Sequence, residues 1–164
     1  MAETLAMAHG VSTAKARTAG ILHDLARLYP SDRLLTECRR RGLPIDSFAS
    51  AHPVVLHAPL SAELARERFS VADREILDAI AKHTLGAREM SALDCVVFLA
   101  DSLEPERPLP EREHLATLAR SDLRAAMIAT IRSSLRYLGD RKEQAAPQTI
   151  AALQSLEEST GGHR

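Results

Sequence analysis

The sequence has few aromatic residues, few cysteines and no long hydrophobic run. Aromatic side chains make up 3% of the 164 residues and tryptophan is absent, which argues against a surface that stacks single-stranded nucleic acid. The formal net charge of -1 gives no sign of a polyanionic partner. No segment reaches the roughly 20 apolar residues that span a bilayer. We therefore expect neither nucleic acid nor a membrane as a partner.

The cysteines and the N-terminus bear on the cellular compartment. Cys38 and Cys95 match no zinc or redox spacing, and Cys95 lies in the apolar run "CVVFLA", where a buried thiol is expected. The opening stretch "MAETLAMAHG" has neither a basic start nor a long apolar core, so it does not resemble a signal peptide. These features predict a reducing, cytoplasmic location.

The composition favours helices. Leu, Ala, Arg and Glu dominate, and these residues are good helix formers. No alternation of apolar and polar residues lasts long enough to indicate a strand. The sequence therefore predicts an all-α fold, a single helical bundle over residues 1–158, followed by a frayed tail at 159–164.

Caps and helix breakers set the expected boundaries. Ser12 and Ser31 are candidate N-caps, Ser91 with Asp94 resembles a capping box, and Pro147 suits the first turn of a last helix. Gly and Pro residues in 42–53 predict a loop. The expected helices cover about 1–9, 12–29, 31–41, 54–68, 73–84, 91–104, 111–119, 121–138 and 147–158.

Two polar residues stand inside the apolar stretch "AGILHDLARLYP". If the helix continues to Tyr29, Asp24 borders an apolar stripe and His23 lies among small side chains. An ionised carboxylate in such surroundings is costly unless it is paired or bound to a metal. The stripe consists of Ile21, Leu25 and Leu28, and the small residues are Ala16, Ala19 and Gly20.

Three further apolar segments each contain a histidine or an aspartate. His57 lies in "VVLHAPLSAELA", His83 in "ILDAIAKHTLG" and Asp101 in "CVVFLADSLEP". One such residue would suit an ordinary core position, but four helices that each direct a His or Asp inward predict a metal site. Imidazole and carboxylate without thiolate suit iron, manganese or zinc. A metal with open coordination positions lowers the pKa of water to ~7, which points to hydrolysis of phosphate esters or anhydrides.

The order and spacing of five stretches resemble the HD-domain phosphohydrolases, and within them the YqeK family of symmetrical bis(5′-nucleosyl)-tetraphosphatases of bacteria. The stretches are "AGILHDLA", "LHAPLSA", "AIAKHTLG", "VVFLADSLEPER" and "PQTIAAL". The resemblance covers nearly the whole chain. It implies hydrolysis of diadenosine tetraphosphate to two ADP, iron as the first choice of metal (one or two ions), with manganese or zinc as alternatives, and a homodimer as an option.

The resemblance also assigns roles. It implies that His23, Asp24 and Asp101 bind the metal. It implies that His57 and His83 are catalytic and line the nucleotide pocket. The remaining implied substrate contacts are Thr84, Asp101, Arg107, Ala146, Pro147, Gln148, Thr149, Ile150 and Ala151.

The chain departs from the family pattern at two places. The family pattern has a further metal-binding histidine in its first helix, at a position that would lie four residues upstream of Met1 in this sequence. We expect in-frame codons for this histidine in the upstream genomic sequence. The family also has His-Pro before the last helix, where this chain has Ala146-Pro147. We expect the second departure to weaken nucleotide binding without removing the chemistry.

Three alternatives stay open at this point. An HD phosphohydrolase for another nucleotide, such as a deoxynucleotide or a guanosine polyphosphate, would share the fold and differ in its pocket. A catalytically impaired metal- or nucleotide-binding protein would fit the missing histidine. A purely structural bundle would have to bury Asp24 and Asp101 without a cation, which is energetically expensive.

Overall fold

The described part of the chain, residues 1–107, 109 and 111–158 of a computed structural model, folds into helices without a strand. The helices are α1 (Ala2–Ala8), α2 (Thr13–Leu22), α3 (Ser31–Arg40), α4 (Ser47–Ala51), α5 (His57–Phe69), α6 (Arg74–Lys82), α7 (Ala92–Ser102), α8 (Arg112–Ser121), α9 (Leu123–Asp140) and α10 (Pro147–Glu158), with a 3₁₀ turn at Pro53–Leu56 before α5. The all-α prediction is confirmed. The expected frayed tail lies outside the described residues.

The helix α7 forms the centre of the bundle. Its apolar run leaves almost no surface exposed, with Val96 and Leu99 fully buried and Cys95 at 6% exposure, as expected for that cysteine. The helices α1, α2, α6 and α9 pack around it. Since this run is apolar on all sides, the chain buries it by enclosing it with other helices rather than by exposing one face.

A second, smaller core lies under α3, α4 and α5. Leu34, Cys38, Leu60 and Leu64 are buried there, and Ala26 from the segment after α2 joins them. This core holds α5 in place, and α5 in turn packs on α6. The two cores therefore meet along the segment that contains the His-Asp pair.

Several predicted caps are present. The Ser12 hydroxyl accepts from the Lys15 backbone N–H, and Ser91 and Asp94 form the expected capping box. Ser31 is different, because Pro30 occupies the N-cap position and Ser31 is the first helical residue. The loop predicted at 42–53 contains α4, which begins at an Asp46 cap.

The predicted extension of α2 to Tyr29 is wrong. The helix ends at Leu22, and tight turns follow, in which the Arg27 N–H donates to the Asp24 carbonyl. The predicted apolar stripe fails with it, since Ile21 is 72% and Leu28 95% exposed. The buried side of α2 is instead the small-residue side, with Ala16 and Ala19 at 0%.

A hydrogen bond from a distant helix explains the early end of α2. The buried hydroxyl of Ser61, on α5, accepts from the Ala26 backbone N–H at 3.0 Å. A helix through Ala26 would use that N–H for its own ladder. Residues 23–29 are therefore held against α5 in turns, and Asp24 is directed toward the ends of other helices.

Candidate metal centre

Two histidines stand at the C-terminal ends of helices, and a third, His57, is the first residue of α5 directly after the 3₁₀ turn. His23 follows α2, His57 follows the 3₁₀ turn, and His83 follows α6. In each ring Nδ1 donates to the carbonyl three residues earlier, at 2.8 Å to Gly20, 2.6 Å to Val54 and 2.7 Å to Ile80. The Gly20 and Ile80 carbonyls belong to the last turns of α2 and α6, where intrahelical partners are lacking. The Val54 carbonyl also accepts from the His57 backbone N–H. His23 and His83 thus cap their own helix ends, and all three rings are held by a backbone carbonyl.

This capping fixes the chemistry at the opposite ring nitrogen. A neutral imidazole carries one proton, and a carbonyl only accepts, so the proton lies on Nδ1. The Nε2 lone pairs of His23, His57 and His83 are left to face the interior of the site. A backbone carbonyl on the distal nitrogen is the usual support for a metal-binding histidine, because it sets the tautomer and the ring orientation.

Asp24 lies among these nitrogens. Its Oδ1 is 3.1 Å from His57 Nε2 and 3.6 Å from His83 Nε2, and its Oδ2 is 3.6 Å from His23 Nε2. Asp24 Oδ1 is buried and accepts no hydrogen bond within the described chain. The Nε2 lone pairs of the three neutral rings therefore face the lone pairs of the Asp24 carboxylate.

The two buried histidines, His57 and His83, also direct lone pairs at each other. His57 Nε2 and His83 Nε2 are 3.1 Å apart, and the Thr84 hydroxyl lies 3.3 Å and 3.0 Å from them. The hydroxyl has one proton and satisfies one of the two. A cation, either a ring proton or a metal ion, is needed to balance the cluster. The residues present therefore fit a divalent metal.

The helix ends add to this fit. The C-terminal ends of α2 and α6 meet at the cluster, and Asp101 is near the C-terminal end of α7. Each end carries a partial negative charge that favours a cation. The ligand atoms of His23, Asp24 and His83 lie within 4.8 Å of one another. These three residues could together hold one divalent ion.

Electrostatic shifts follow from the same contacts. Burial raises the pKa of Asp24, but interaction with His57 and His83, when these rings are protonated, outweighs it and the net pKa is far below the usual range. Burial likewise raises the pKa of Asp101, and His23 and Arg107 bring the net value below the usual range. Burial lowers the pKa of His23, but the bond to Asp101 and the Gly20 carbonyl bring the net value above normal. Both carboxylates are therefore ionised at neutral pH.

Asp101 and Arg107 connect the cluster to the surface. Asp101 Oδ1 is 3.6 Å from His23 Nε2 and forms an ion pair with the Arg107 guanidinium. Both residues, with His57 and Thr84, line a cavity of about 330 Å³ that we call the Arg107 cavity. Arg27, which the sequence analysis did not single out, lines it as well. Its position three residues after Asp24 was the available signal.

The predicted stretch Ala146 to Ala151 is only partly brought to the site. A second cavity of about 380 Å³, here the Thr149 cavity, adjoins the first at Thr84 and is lined by Ala146 and Thr149. The Thr149 hydroxyl donates to the Leu85 carbonyl at 2.9 Å. Gln148 donates to Asp46 at 2.7 Å. Of the predicted stretch, Ala146 and Thr149 line the cavity. The residues of the stretch that are not part of the described lining are Pro147, Gln148, Ile150 and Ala151.

A third cavity opens on the other side of His23 and Asp101. It has a volume of about 430 Å³ and is lined by Met1, Gly20 and Val97, among others. The metal cluster therefore has open space toward the start of α1 as well as toward α9. The expectation of an upstream histidine concerns residues outside this chain and stays a prediction.

The arrangement defines a class: an all-helical protein whose converging helix ends hold a His/Asp cluster beside an arginine-lined cavity. The HD domain family matches residues 1–106. The chain is 33% identical over 152 residues to a protein named symmetrical bis(5′-nucleosyl)-tetraphosphatase from Halalkalibacterium halodurans, covering 93% of this chain and 81% of that one. A protein of the same name from Bacillus subtilis is 33% identical, with 89% of this chain and 78% of that one covered.

A solved structure agrees with these sequence matches. A predicted HD superfamily hydrolase involved in NAD metabolism from Clostridium acetobutylicum superposes with a TM-score of 0.92 at 28% identity, over 96% of this chain and 84% of that one. The chain belongs to the HD domain family, in the group that contains the symmetrical bis(5′-nucleosyl)-tetraphosphatases. No helix in the described part of the chain has the length and hydrophobicity to cross a membrane.

Proposed function

We propose that this chain hydrolyses diadenosine tetraphosphate symmetrically to two molecules of ADP. The names of the relatives from Halalkalibacterium halodurans and Bacillus subtilis support this substrate. The observation that carries the proposal is the convergence of three carbonyl-anchored imidazoles on Asp24, next to a cavity with two arginines. This juxtaposes metal ligands and phosphate-binding groups, which phosphoanhydride hydrolysis requires.

The proposed ligands are His23, Asp24 and Asp101, and the geometry favours His83 as a further one. We propose iron as the native metal, as one or two ions, because the family resemblance favours it. Manganese and zinc are the alternatives, since nitrogen and carboxylate-oxygen donors without sulfur suit all three. When bound, such a metal supplies Lewis acidity toward a phosphoryl oxygen and an activated water. Metal analysis of protein purified without chelators or nickel resin tests the assignment.

His57 is the best placed proton donor. It is 4% exposed and, unlike His83, lines the Arg107 cavity. Its Nδ1 is held by the Val54 carbonyl, so a second proton on Nε2 points toward the cluster and the cavity. A protonated His57 donates to the oxygen of the departing ADP, and Thr84 supports it through its hydroxyl.

In this proposal the two cavities bind different parts of the substrate, the phosphate chain in one and a nucleoside in the other. Arg107 and Arg27 in the Arg107 cavity bind the phosphate chain, and Arg107 offers a forked contact to phosphate oxygens. The Thr149 cavity, with Phe48 and Phe98 in its lining, takes a nucleoside, since ligand pockets of this type combine an apolar lining with a few polar groups. A cytoplasmic location, a homodimeric assembly, and the absence of nucleic-acid and membrane partners stay predictions.

Product analysis decides between this activity and its alternatives. We expect ADP as the sole nucleotide product from diadenosine tetraphosphate with Mn²⁺ or Fe²⁺ present. His57→Gln should lower kcat and keep the metal, whereas Arg136→Gln, at an ion pair with Glu111 on the surface, serves as the matched control. AMP plus ATP, or no turnover, contradicts the proposal. Turnover of a deoxynucleotide or a guanosine polyphosphate alone favours another HD phosphohydrolase.

A further inference from the structure

One carboxylate oxygen at the metal cluster is shared by two partners. Asp101 Oδ1 faces His23 Nε2 at 3.6 Å and also accepts from the Arg107 guanidinium. Asp101 is largely buried, with 12% of its side chain exposed, whereas Arg107 is 40% exposed. The carboxylate is thus fixed by α7, while the arginine reaches it from the surface segment that follows.

The two partners of Asp101 compete. If a metal ion among His23, Asp24 and His83 takes Asp101 as a further ligand, the oxygen that faces His23 Nε2 is the one that already accepts from the guanidinium, and two cations on one oxygen repel each other. Arg107 therefore opposes metal binding while it remains on Asp101. It opposes phosphate binding in the same state, because a guanidinium engaged with a carboxylate has fewer donors left for phosphate.

We propose that Arg107 couples the two binding events by holding Asp101 until a phosphate group draws it away. An anion on Arg107 frees Asp101 for the metal, and a metal on Asp101 frees Arg107 for the anion. By linkage the two ligands must then strengthen each other's binding by the same factor. The identity of the anion rests on the proposed function, but the coupling itself needs only the Asp101–Arg107 pair.

Arg27 provides a matched comparison. It lines the same cavity, and among the described residues the ion-pair partners of Asp24 and Asp101 do not include Arg27. Arg27→Gln removes the same charge as Arg107→Gln without releasing Asp101. The difference between the two variants therefore isolates the ion pair from the general field of the cavity.

The test is the affinity for Mn²⁺, followed through the paramagnetic resonance signal of the free ion, with and without ADP, and corrected by a protein-free titration of ADP. We expect ADP to tighten Mn²⁺ binding to the wild-type protein by about tenfold, within the usual range of coupling between sites. Arg107→Gln should bind Mn²⁺ tightly without ADP and gain little from it. Arg27→Gln should resemble the wild type when ADP is absent.

Equal Mn²⁺ affinity of Arg107→Gln and Arg27→Gln without ADP would overturn the inference. Circular dichroism checks that each variant is folded. If Arg107→Gln is not folded, Arg107→Lys replaces it. We expect Arg107→Lys to bind Mn²⁺ somewhat more tightly than the wild type without ADP, and an unchanged Mn²⁺ affinity contradicts the proposal. Coupling in a protein that leaves diadenosine tetraphosphate intact refutes the proposed function alone. Hydrolysis to ADP without coupling refutes this inference alone.

Discussion

Asp24→Asn separates a metal centre from a structural polar cluster. In the wild-type protein Asp24 Oδ1 is buried without a hydrogen bond in the described chain, and it faces two imidazole nitrogens at 3.1 and 3.6 Å. In the tautomer set by the Val54 and Ile80 carbonyls, a neutral ring presents its Nε2 lone pair to the carboxylate. The side-chain amide that replaces the carboxylate in this variant can donate to one of these two nitrogens. We therefore expect the melting temperature in EDTA to be equal to or above that of the wild type.

The metal-dependent gain in stability should disappear in this variant. Saturation of the wild-type site at 100 times its Kd stabilises the fold by about 2.7 kcal/mol, which raises the Tm of a domain of this size by roughly 5–10 °C. Loss of an outer-shell partner alone costs about 10–100-fold in metal affinity, so loss of a ligand costs about 100-fold or more. At the same metal concentration the variant then gains at most about 0.4 kcal/mol, or roughly 1 °C.

Thermal unfolding followed by circular dichroism, in EDTA and in Mn²⁺, measures both quantities. Asp78→Asn is the matched control, since Asp78 is a carboxylate of α6 that lines a different cavity. It should keep the full gain in Tm. If Asp24→Asn also keeps the gain, Asp24 is not a metal ligand and the proposed metal site is wrong. A large loss of Tm in EDTA would instead mark Asp24 as a structural residue.

Three further perturbations test His23, the end of α2 and the Thr149 cavity. Since the pKa of His23 is raised in the folded state, its contribution to stability is complete below about pH 6.5 and is lost as the pH rises through the folded value. The Tm in EDTA should therefore fall above about pH 6.5, and His23→Gln should make that fall shallower. An unchanged slope in His23→Gln contradicts this prediction. Ser61→Ala leaves the buried Ala26 N–H unpaired and should lower the free energy of unfolding in urea by about 1–3 kcal/mol, with a loss under about 0.5 kcal/mol as the contrary result. Ala146→His, at the buried edge of the Thr149 cavity, should lower the KM for diadenosine tetraphosphate, and an equal or higher KM would count against the nucleoside assignment.

Local pattern was sufficient to predict the helical fold and several of its boundaries. The capping box at Ser91 and the start of α10 at Pro147 are set by side chains that act within one helical turn. The apolar run around Val97 predicted a buried helix for the same reason, since burial on all sides follows from composition. These features depend on neighbours in the sequence.

The identities of the site residues were also available from the sequence, but their geometry was not. His23 and Asp24 were recognisable as polar residues in an apolar stretch, yet their helix was predicted to continue to Tyr29. The structure ends it at Leu22, because Ser61, which is far away in the sequence, accepts from the Ala26 N–H. No local signal reports a hydrogen bond of that separation.

The same distinction holds for the metal ligands and the cavities. Each histidine presents Nε2 to the site because its Nδ1 donates to a carbonyl three residues earlier, which is a local contact. The three Nε2 atoms meet at Asp24 because of the way α2, α5 and α6 pack. The sequence by itself determined most of the helices and the identities of the donor residues, because both depend on short segments. Only the tertiary structure decided which donors share one ion and which arginines face it, because those distances depend on helix packing.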